Sequence, residues 1–386
     1  MKLEIVGKFY DNHSLAKVNR NLVLQFDKLD NLDFFITPTD SFSPDSKVDR
    51  EEVKLLKKYD LKEPPFEPDI QLRHSYPPIW RWPLSEKTKI VYIQPWEWSK
   101  VPFEWQYKWE TFADAIITPS QWTANIIAEG GIEPSKLVVV PNGYNPDIYN
   151  TDPQETTLFD SSKFTFTFVG CGQHRKGLDI LLTAWRDAFV KADNVQLFIK
   201  DTPQIYGQSN IINEILALQY KSDCATIIYN EDNLSETEMA GIFKNSYGLV
   251  HPYRGEGFGM HVQEAFACGA IPVVTKHGPT DEFIPDNLAM KINAQKKFID
   301  LTDRNLFATK DGDSLTLMNT HSWIIEPVVD HLKECLKILY LHHNKKELKQ
   351  KIKEHQNHNT WENIAKGYEG VLRDIARDNK KPKRFR

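Results

Sequence analysis

The chain has 386 residues, of which 40% are hydrophobic and 12% aromatic; that length predicts two or three domains, and that composition excludes an intrinsically disordered chain. The net charge of −5 excludes a general electrostatic attraction to nucleic acid, so no nucleic-acid partner is expected. The four cysteines (Cys171, Cys224, Cys268 and Cys335) stand far apart with no CxxC pair, which fits free thiols in a reducing cytosol better than a disulfide framework or a zinc site.

The first residues, MKLEIVGKFYDNHS, hold an apolar run too short for a signal peptide, and no segment reaches the ~20 apolar residues of a membrane span, so a cytoplasmic location is expected. LEIVG reads as a buried strand ending at Gly7. DNHSLAKVNRNLVLQF then carries a helix start signal at Asp11 to Ser14 and helical spacing at Leu15, Val18, Leu22 and Phe26. KIVYIQ, AIITPS and KLVVVPNG are short β-branched runs bounded by Pro, Ser or Gly, with helical stretches between them. The polar stretch YNPDIYNTDPQETTLFDSSK reads as a linker. The alternation restarts with FTFTFVG (strand), LDILLTAWRDAFV (helix), VQLFIK and ATIIYN (strands), ETEMAGIFKN (helix), YGLVHPY and IPVVTK (strands). Two consecutive βα series predict an α/β chain of two Rossmann-like doubly wound domains, at 1–150 and 151–355. The C-terminal stretch, including TWENIAKGYEGVLRDIARD, is helical, and 356–386 ends in a basic tail, NKKPKRFR, which could touch anionic lipid head groups or do nothing. Oligomeric state is open.

In FTFTFVGCGQHRKGLDILLTAW a strand, a glycine-bearing turn and a helix follow one another, which aims backbone N–H groups and a positive helix end at one place. The glycines do not meet the dinucleotide pattern G-x-G-x-x-G, and Lys176 precedes Gly177, so this is not a Walker loop either. Arg175 and Lys176 sit just before the helix, where each cation is unfavourable by roughly 0.3–1 kcal/mol. A bound diphosphate turns that repulsion into attraction, with arginine as a fork and lysine as a point charge. The alternative is two solvated surface cations.

HPYRGEGFGMHVQEAFACGA places Glu256 and Glu264 eight positions apart across a glycine break. On one continuous helix the acids would lie about 12 Å apart, but Gly257 and Gly259 argue against that. The better reading is a loop, RGEGFG, followed by a helix from about Met260 to Cys268, stopped by Gly269. Glu256 then stands on the loop, Glu264 on an early helical turn, and the N–H groups of Phe258, Gly259 and Met260 lie between them. Such a set suits a nucleoside diphosphate sugar: Glu264 for vicinal ribose hydroxyls, the N–H groups for phosphate oxygens, Glu256 for hydroxyls beyond the phosphate. A capped helix with one solvated acid is the plain alternative. A glycosidase pair, at about 5–5.5 or 6.5–9.5 Å, leaves the Arg175/Lys176 turn without a purpose.

RGEGFGMHVQEAFACGAIPVV resembles the signature of the retaining GT-B glycosyltransferases often numbered family four, which use nucleotide sugars and have two facing Rossmann domains. HRKGLDILLTAW resembles that family's lysine-glycine phosphate segment; ADAIITPSQWTANII with KLVVVPNGYNPDIY resembles the end of its first domain; HGPTDEF and TWENIAKGY also match, the latter as the helix that crosses back to the first domain. The resemblance implies Glu264 on the ribose, Glu256 on the donor sugar, Phe258, Gly259 and Met260 (beside Gly257) giving backbone contacts, and Lys176 on the diphosphate. Where many members have an arginine directly after the strand-ending glycine this chain has Cys171, and that role passes to Arg175. No metal is expected, retention of anomeric configuration is implied, and the base is expected near IIYNEDN (Ile227 to Asn233).

The first domain is expected to hold the acceptor. Six of the ten tryptophans fall between Trp80 and Trp109; aromatic faces can pack on sugar C–H groups, but a hydrophobic core explains most of them. Trp96 and Glu97 follow the strand KIVYIQ, where the resemblance is to a subgroup bearing WE, and His13 and Ser14 follow the first strand; His74 is a further candidate. The expected activity is transfer of a hexose or deoxyhexose from a GDP- or UDP-type nucleotide sugar to a glycan, glycolipid or glycoprotein hydroxyl. The alternatives are an inverting transferase or nucleotide-sugar epimerase on the same scaffold, or a non-catalytic carbohydrate-binding protein.

Overall fold

The structure is a computed structural model and describes residues 1–43, 46–203, 211–221, 223–299, 322–341, 345–355 and 358–378. The basic tail therefore lies outside the described residues. The chain divides into two compact units: Met1–Trp96, Lys100–Gly143 and His358–Arg386 form one, Glu97–Ser99 and Tyr144–Asn357 the other. The expected boundaries at 150/151 and 355/356 thus fall at 143/144 and 357/358, and the last segment belongs to the first unit.

The first unit contains β1 (Lys2–Gly7), α1 (Ser14–Phe26), β2 (Asp33–Pro38), α2 (Arg50–Tyr59), β3 (Ile70–His74), β4 (Lys89–Ile93), α3 (Phe103–Phe112), β5 (Ala115–Thr118), α4 (Gln121–Glu129) and β6 (Leu137–Val139). Its strands pair in parallel in the order β2-β1-β3-β4-β5-β6. The order reverses between β1 and β3, as in flavodoxin-like sheets. Strands such as AIIT are buried along their whole length, which is why they read as unbroken apolar runs.

The second unit contains β7 (Phe164–Val169), α5 (Leu178–Ala188), β8 (Val195–Lys200), α6 (Ile211–Lys221), β9 (Thr226–Asn230), α7 (Glu236–Lys244), β10 (Gly248–His251), α8 (Met260–Ala267), β11 (Ile271–Thr275) and β12 (Met290–Ile292). The strand order is β12-β11-β10-β7-β8-β9, all parallel; counted within the unit it is 6-5-4-1-2-3, the Rossmann order. Phe166, Phe168, Trp185 and Val250 fill its core, and the Trp185 indole N–H donates to the Ala225 carbonyl at 3.1 Å. An antiparallel pair, β13 (Ala294–Ile299) with β14 (Ser322–Pro327), follows, then α9 (Val329–Leu341) and α10 (Lys345–Glu354).

The last helix, α11 (Trp361–Arg377), returns to the first unit and packs on α1, burying Trp361, Ile364, Ala365, Tyr368 and Leu372 along one stripe. The four cysteines are buried and unbridged. Among the described residues no helix is long and apolar enough to cross a membrane.

Candidate active site

Open parallel sheets bind ligands beyond the carboxyl ends of their strands, where the strand order reverses. In the second unit that place is the end of β7 and β10. The segment after β7 turns through a short 3₁₀ turn, His174–Lys176, into α5; the segment after β10 is the glycine-rich loop leading to α8. The two are locked together. Gly177 sits at φ +71, and a Cβ there would collide with the Pro252 carbonyl oxygen. The Arg175 carbonyl accepts N–H groups from Arg254 (2.7 Å) and Gly255 (3.3 Å). The Arg254 guanidinium then donates to both Asp179 oxygens (2.7 Å each), to the His174 carbonyl (2.7 Å) and to Glu326 of β14 (3.0 Å), while its own carbonyl accepts from Ile325 N–H at 3.0 Å.

This frame brings the expected catalytic residues together. Lys176 Nζ lies 2.6 Å from Glu256 Oε2, and the same oxygen is 3.0 Å from His251 Nε2; Glu256 Oε1 accepts the Gly257 N–H at 3.1 Å. Glu256 is only 7% exposed. Burial pushes its carboxyl up, but the Lys176 ammonium and the His251 hydrogen bond outweigh burial and hold it well below the usual carboxylate range. Burial, partly offset by Glu256, pulls the His251 imidazole down to about 4, so it is neutral at pH 7. Because an ionised carboxylate only accepts, His251 must carry its proton on Nε2.

Arg175 pairs with Glu97 at 3.5 Å. Each of the two cations expected to meet a diphosphate thus faces a carboxylate in this structure. Glu97, expected on the acceptor side, is counted with the second unit, and its carbonyl lies against Gly255.

His251, Glu256 and His261 bring donor atoms within 4.8 Å of one another, the span of a metal-binding set. The Lys176 ammonium already lies on the one anionic member, so the chain supplies its own cation at that point.

On the far side of the loop, Gly259 caps α8 at φ +96 with no side-chain hydrogen bond, a conformation glycine adopts without strain. Phe258 is buried and stacked on Phe283 at 4.7 Å, so only its backbone is available to a ligand. Met260 opens the helix, half-buried, and Glu264 lies one turn later, 5% exposed. Burial first, then the Glu264 charge, raises the Tyr149 phenol well above its ordinary value, which places that carboxylate near a buried ring. At the end of β8 the neighbouring pair Lys200 and Asp201 is buried; Tyr229 Oη donates to Asp201 at 2.9 Å, and burial pulls Lys200 down to about 8.

The acceptor-side candidates of the first unit serve its own architecture. His13 caps α1, its Nδ1 accepting from Leu15 N–H at 3.2 Å, and Ser14 is exposed at the first helical position. His74 ends β3, buried, with Nδ1 2.9 Å from Asn19 Oδ1; burial pulls it down to about 3. Trp96 is 2% exposed, donates its indole N–H to the Lys100 carbonyl at 2.9 Å and packs edge-on to Trp105 at 5.3 Å. Trp80, Trp105 and Trp109 complete that cluster, so most of the tryptophan run is core.

Sequence reasoning passed over His251, Arg254, Asp179 and Glu326. His251 and Arg254 stand inside the quoted glycine-rich stretch, but Arg254 meets Asp179 across 75 residues and Glu326 across 72, separations that no local pattern reports.

The family model described as Glycosyl transferases group 1 matches residues 151–303, and that described as Glycosyltransferase Family 4 matches residues 68–148. An uncharacterised glycosyltransferase (MJ1178) of Methanocaldococcus jannaschii is 27% identical over 177 residues, 46% of this chain and 44% of that protein. The chain spans about half the length of the curated relatives it matches, from 39% to 50%. Among solved structures, Anabaena Alr3699/HepE in complex with UDP and glucose aligns with a TM-score of 0.59 at 12% identity, covering 97% of this chain and 100% of that one. WaaG, a glycosyltransferase involved in lipopolysaccharide biosynthesis, aligns with a TM-score of 0.61 at 12% identity, covering 96% and 99%. At such identities the likeness is one of fold, and the fold is GT-B. With both family models matched in tandem along that fold, the chain belongs to the family-four GT-B glycosyltransferases.

Proposed function

We propose that the protein transfers a hexose or deoxyhexose from a GDP- or UDP-type nucleotide sugar to a hydroxyl of a glycan, glycolipid or glycoprotein, with retention. The observation that carries this reading is the Lys176–Glu256 pair, 2.6 Å apart, held at the sheet's switch point beside the tip of α8. A diphosphate is a stronger partner for an ammonium than a single carboxylate, so donor binding draws Lys176 onto the phosphates and leaves Glu256 to accept hydroxyls of the sugar. Arg175 adds a second cation, and Glu264 accepts the ribose hydroxyls. The base sits near Ile227 to Asn233.

As the C1–O bond to the diphosphate breaks, negative charge grows on the leaving phosphate, and preorganised cations there provide the largest catalytic effect. The acceptor oxygen bonds to C1 on the same face, and its proton passes to the leaving phosphate oxygen. In this reading the cations are protein side chains and no metal takes part. The crystallised relative HepE holds UDP and glucose, and in another crystal UDP-glucose, which supports a nucleotide-sugar donor here. Unbridged thiols go with a cytoplasmic setting.

A thermal-shift panel of UDP, GDP, dTDP and their sugars tests the donor. A ligand at 100 times its Kd adds about 2.7 kcal/mol of stability, and a panel in which nothing raises Tm rejects the reading. Anomeric proton NMR of the product tests retention.

A further inference from the structure

Glu256 holds three hydrogen bonds: Oε2 takes Lys176 Nζ (2.6 Å) and His251 Nε2 (3.0 Å), and Oε1 takes the Gly257 N–H (3.1 Å). These donors differ in what they can do during a turnover. Lys176 is a flexible side chain that leaves for the phosphates. The Gly257 N–H is the adjacent peptide group and fixes only the inner oxygen. His251 is the last residue of β10, fully buried, with its ring held between Phe168 (6.2 Å between centroids), Tyr253 (5.2 Å) and His261 (4.2 Å, edge to face). It is the only one of the three that is both rigid and able to reach the outer oxygen without Lys176.

We propose that His251 is a positioning residue for sugar transfer: its Nε2–H holds the outer oxygen of Glu256, oriented and ionised, after Lys176 has moved to the donor's diphosphate. The inference rests on the donor roles given above to Lys176 and Glu256. Without His251, a carboxylate in a buried loop would lose its remaining side-chain donor at the moment the sugar needs it. It would then swing or take up a proton, and in either state it would accept one hydroxyl fewer from the sugar. The groups facing His251 fit the task. Among the described residues Glu256 is the acid that faces it; burial keeps the imidazole neutral, with the Lys176 and Arg175 charges adding to burial, and His261 is itself held neutral by burial first and then by the charges of His251 and Lys176. A neutral imidazole donates a directional hydrogen bond and adds no second positive charge to compete with Lys176 for the phosphates.

The test compares His251→Gln, His251→Asn and His251→Leu in the full chain. A glutamine amide reaches the place of Nε2; an asparagine amide has the same chemistry but stops short at the place of Nδ1. Expected are a kcat loss of about 10- to 100-fold for Asn and Leu, recovery of most of it by Gln, and nucleoside diphosphate affinity within about threefold of wild type throughout. Asn and Gln variants of equal kcat, or a Leu variant at wild-type rates, would overturn the proposal. Carbon-13 NMR titration of the glutamate carboxyls, with Glu256→Gln identifying the resonance, reads the contact without any activity. Glu256 should titrate at higher pH in the Asn variant than in the Gln variant, and an unmoved titration overturns the proposal even where no sugar donor is found. A wild-type enzyme that turns over no nucleotide sugar would instead reject the functional reading while this carboxyl measurement still stood.

Discussion

Replacing Lys176 by Met keeps the length of the side chain and removes its charge. Lys176 and Glu256 form a pair whose side chains are 11% and 9% exposed. Breaking such a pair from one side leaves a buried carboxylate uncompensated, at a cost of about 3–5 kcal/mol, and the remaining His251 bond favours the lower end, about 3 kcal/mol. Substituting both partners, Lys176→Met with Glu256→Gln, removes the stranded charge, so the double variant should recover about 2 kcal/mol relative to the sum of the singles.

A pH signature accompanies it. Burial is the main cause that depresses His251 and the Lys176 charge adds to it, so removal of that charge raises the imidazole from about 4, and protonation of His251 in acid offsets part of the missing cation. The variant then takes up that proton at a higher pH than the wild type, and its deficit shrinks as pH falls from 7 to 5. Urea unfolding of the full chain at both pH values, followed by tryptophan fluorescence, reads the four proteins of the cycle. Trp185 lies in the core of the second unit and reports on it. A coupling below about 0.5 kcal/mol, or a deficit independent of pH, would refute the reasoning.

Gly177→Ala should cost at least about 2 kcal/mol, since it combines a left-handed residue with a collision at Pro252, whereas Gly131→Ala, at φ +98 with nothing within 4 Å, should cost about 1 kcal/mol; Tm values of the two separate backbone strain from steric conflict. Acid should destabilise both units: the folded-state imidazoles of His251 (about 4) and His74 (about 3) lie below the unfolded value, so their contribution is whole above pH 6.5 and is lost as pH falls, about 3 kcal/mol each by pH 4. A urea midpoint that stays flat from pH 7 to pH 4 would contradict this. Arg254→Met strands the carboxylates of Asp179 and Glu326 and should cost about 3 kcal/mol, opening the β13–β14 pair to limited proteolysis; unchanged cleavage would show that the pair is held by other contacts. Glu264→Ala should weaken free-nucleotide binding by about 1.5–3 kcal/mol in calorimetry, and unchanged affinity would remove its ribose role.

How much of this was legible depended on where each interaction lay along the chain. LEIVG and FTFTFVG were readable as strands because they are short runs rich in β-branched and aromatic residues that end at a glycine. IQLRH was not readable, although it is a buried strand, because its polar residues find partners inside: Arg73 donates to the Gln71 side chain, to the Ile79 carbonyl (2.8 Å) and to Tyr92 (3.2 Å), and His74 meets Asn19. Hydrophobic periodicity cannot see such a strand. The β13–β14 pair stayed hidden because its two strands are separated by more than twenty residues and because β13 is exposed and polar at Gln295, Lys296 and Lys297. The turn at Arg175–Gly177 and the helix start at Met260 were found because capping and glycine signals are local. Their partners were not, and a lone His13 or Trp96 looks the same whether it meets a ligand or serves as a cap or core ring.

The three residues Glu97–Ser99 lie in sequence between β4 and α3 of the first unit yet are counted with the second, where Glu97 faces Arg175 and Ser99 Oγ takes the Trp323 N–H at 2.7 Å and shares a 2.6 Å bond with Ser322. Any fragment made by cutting at 143/144 and 357/358 would therefore be missing a piece of itself. The excised second unit would carry Arg175 without Glu97 and β14 without Ser99, so attempts to dissect this protein by truncation would be measuring an injured half rather than an isolated one.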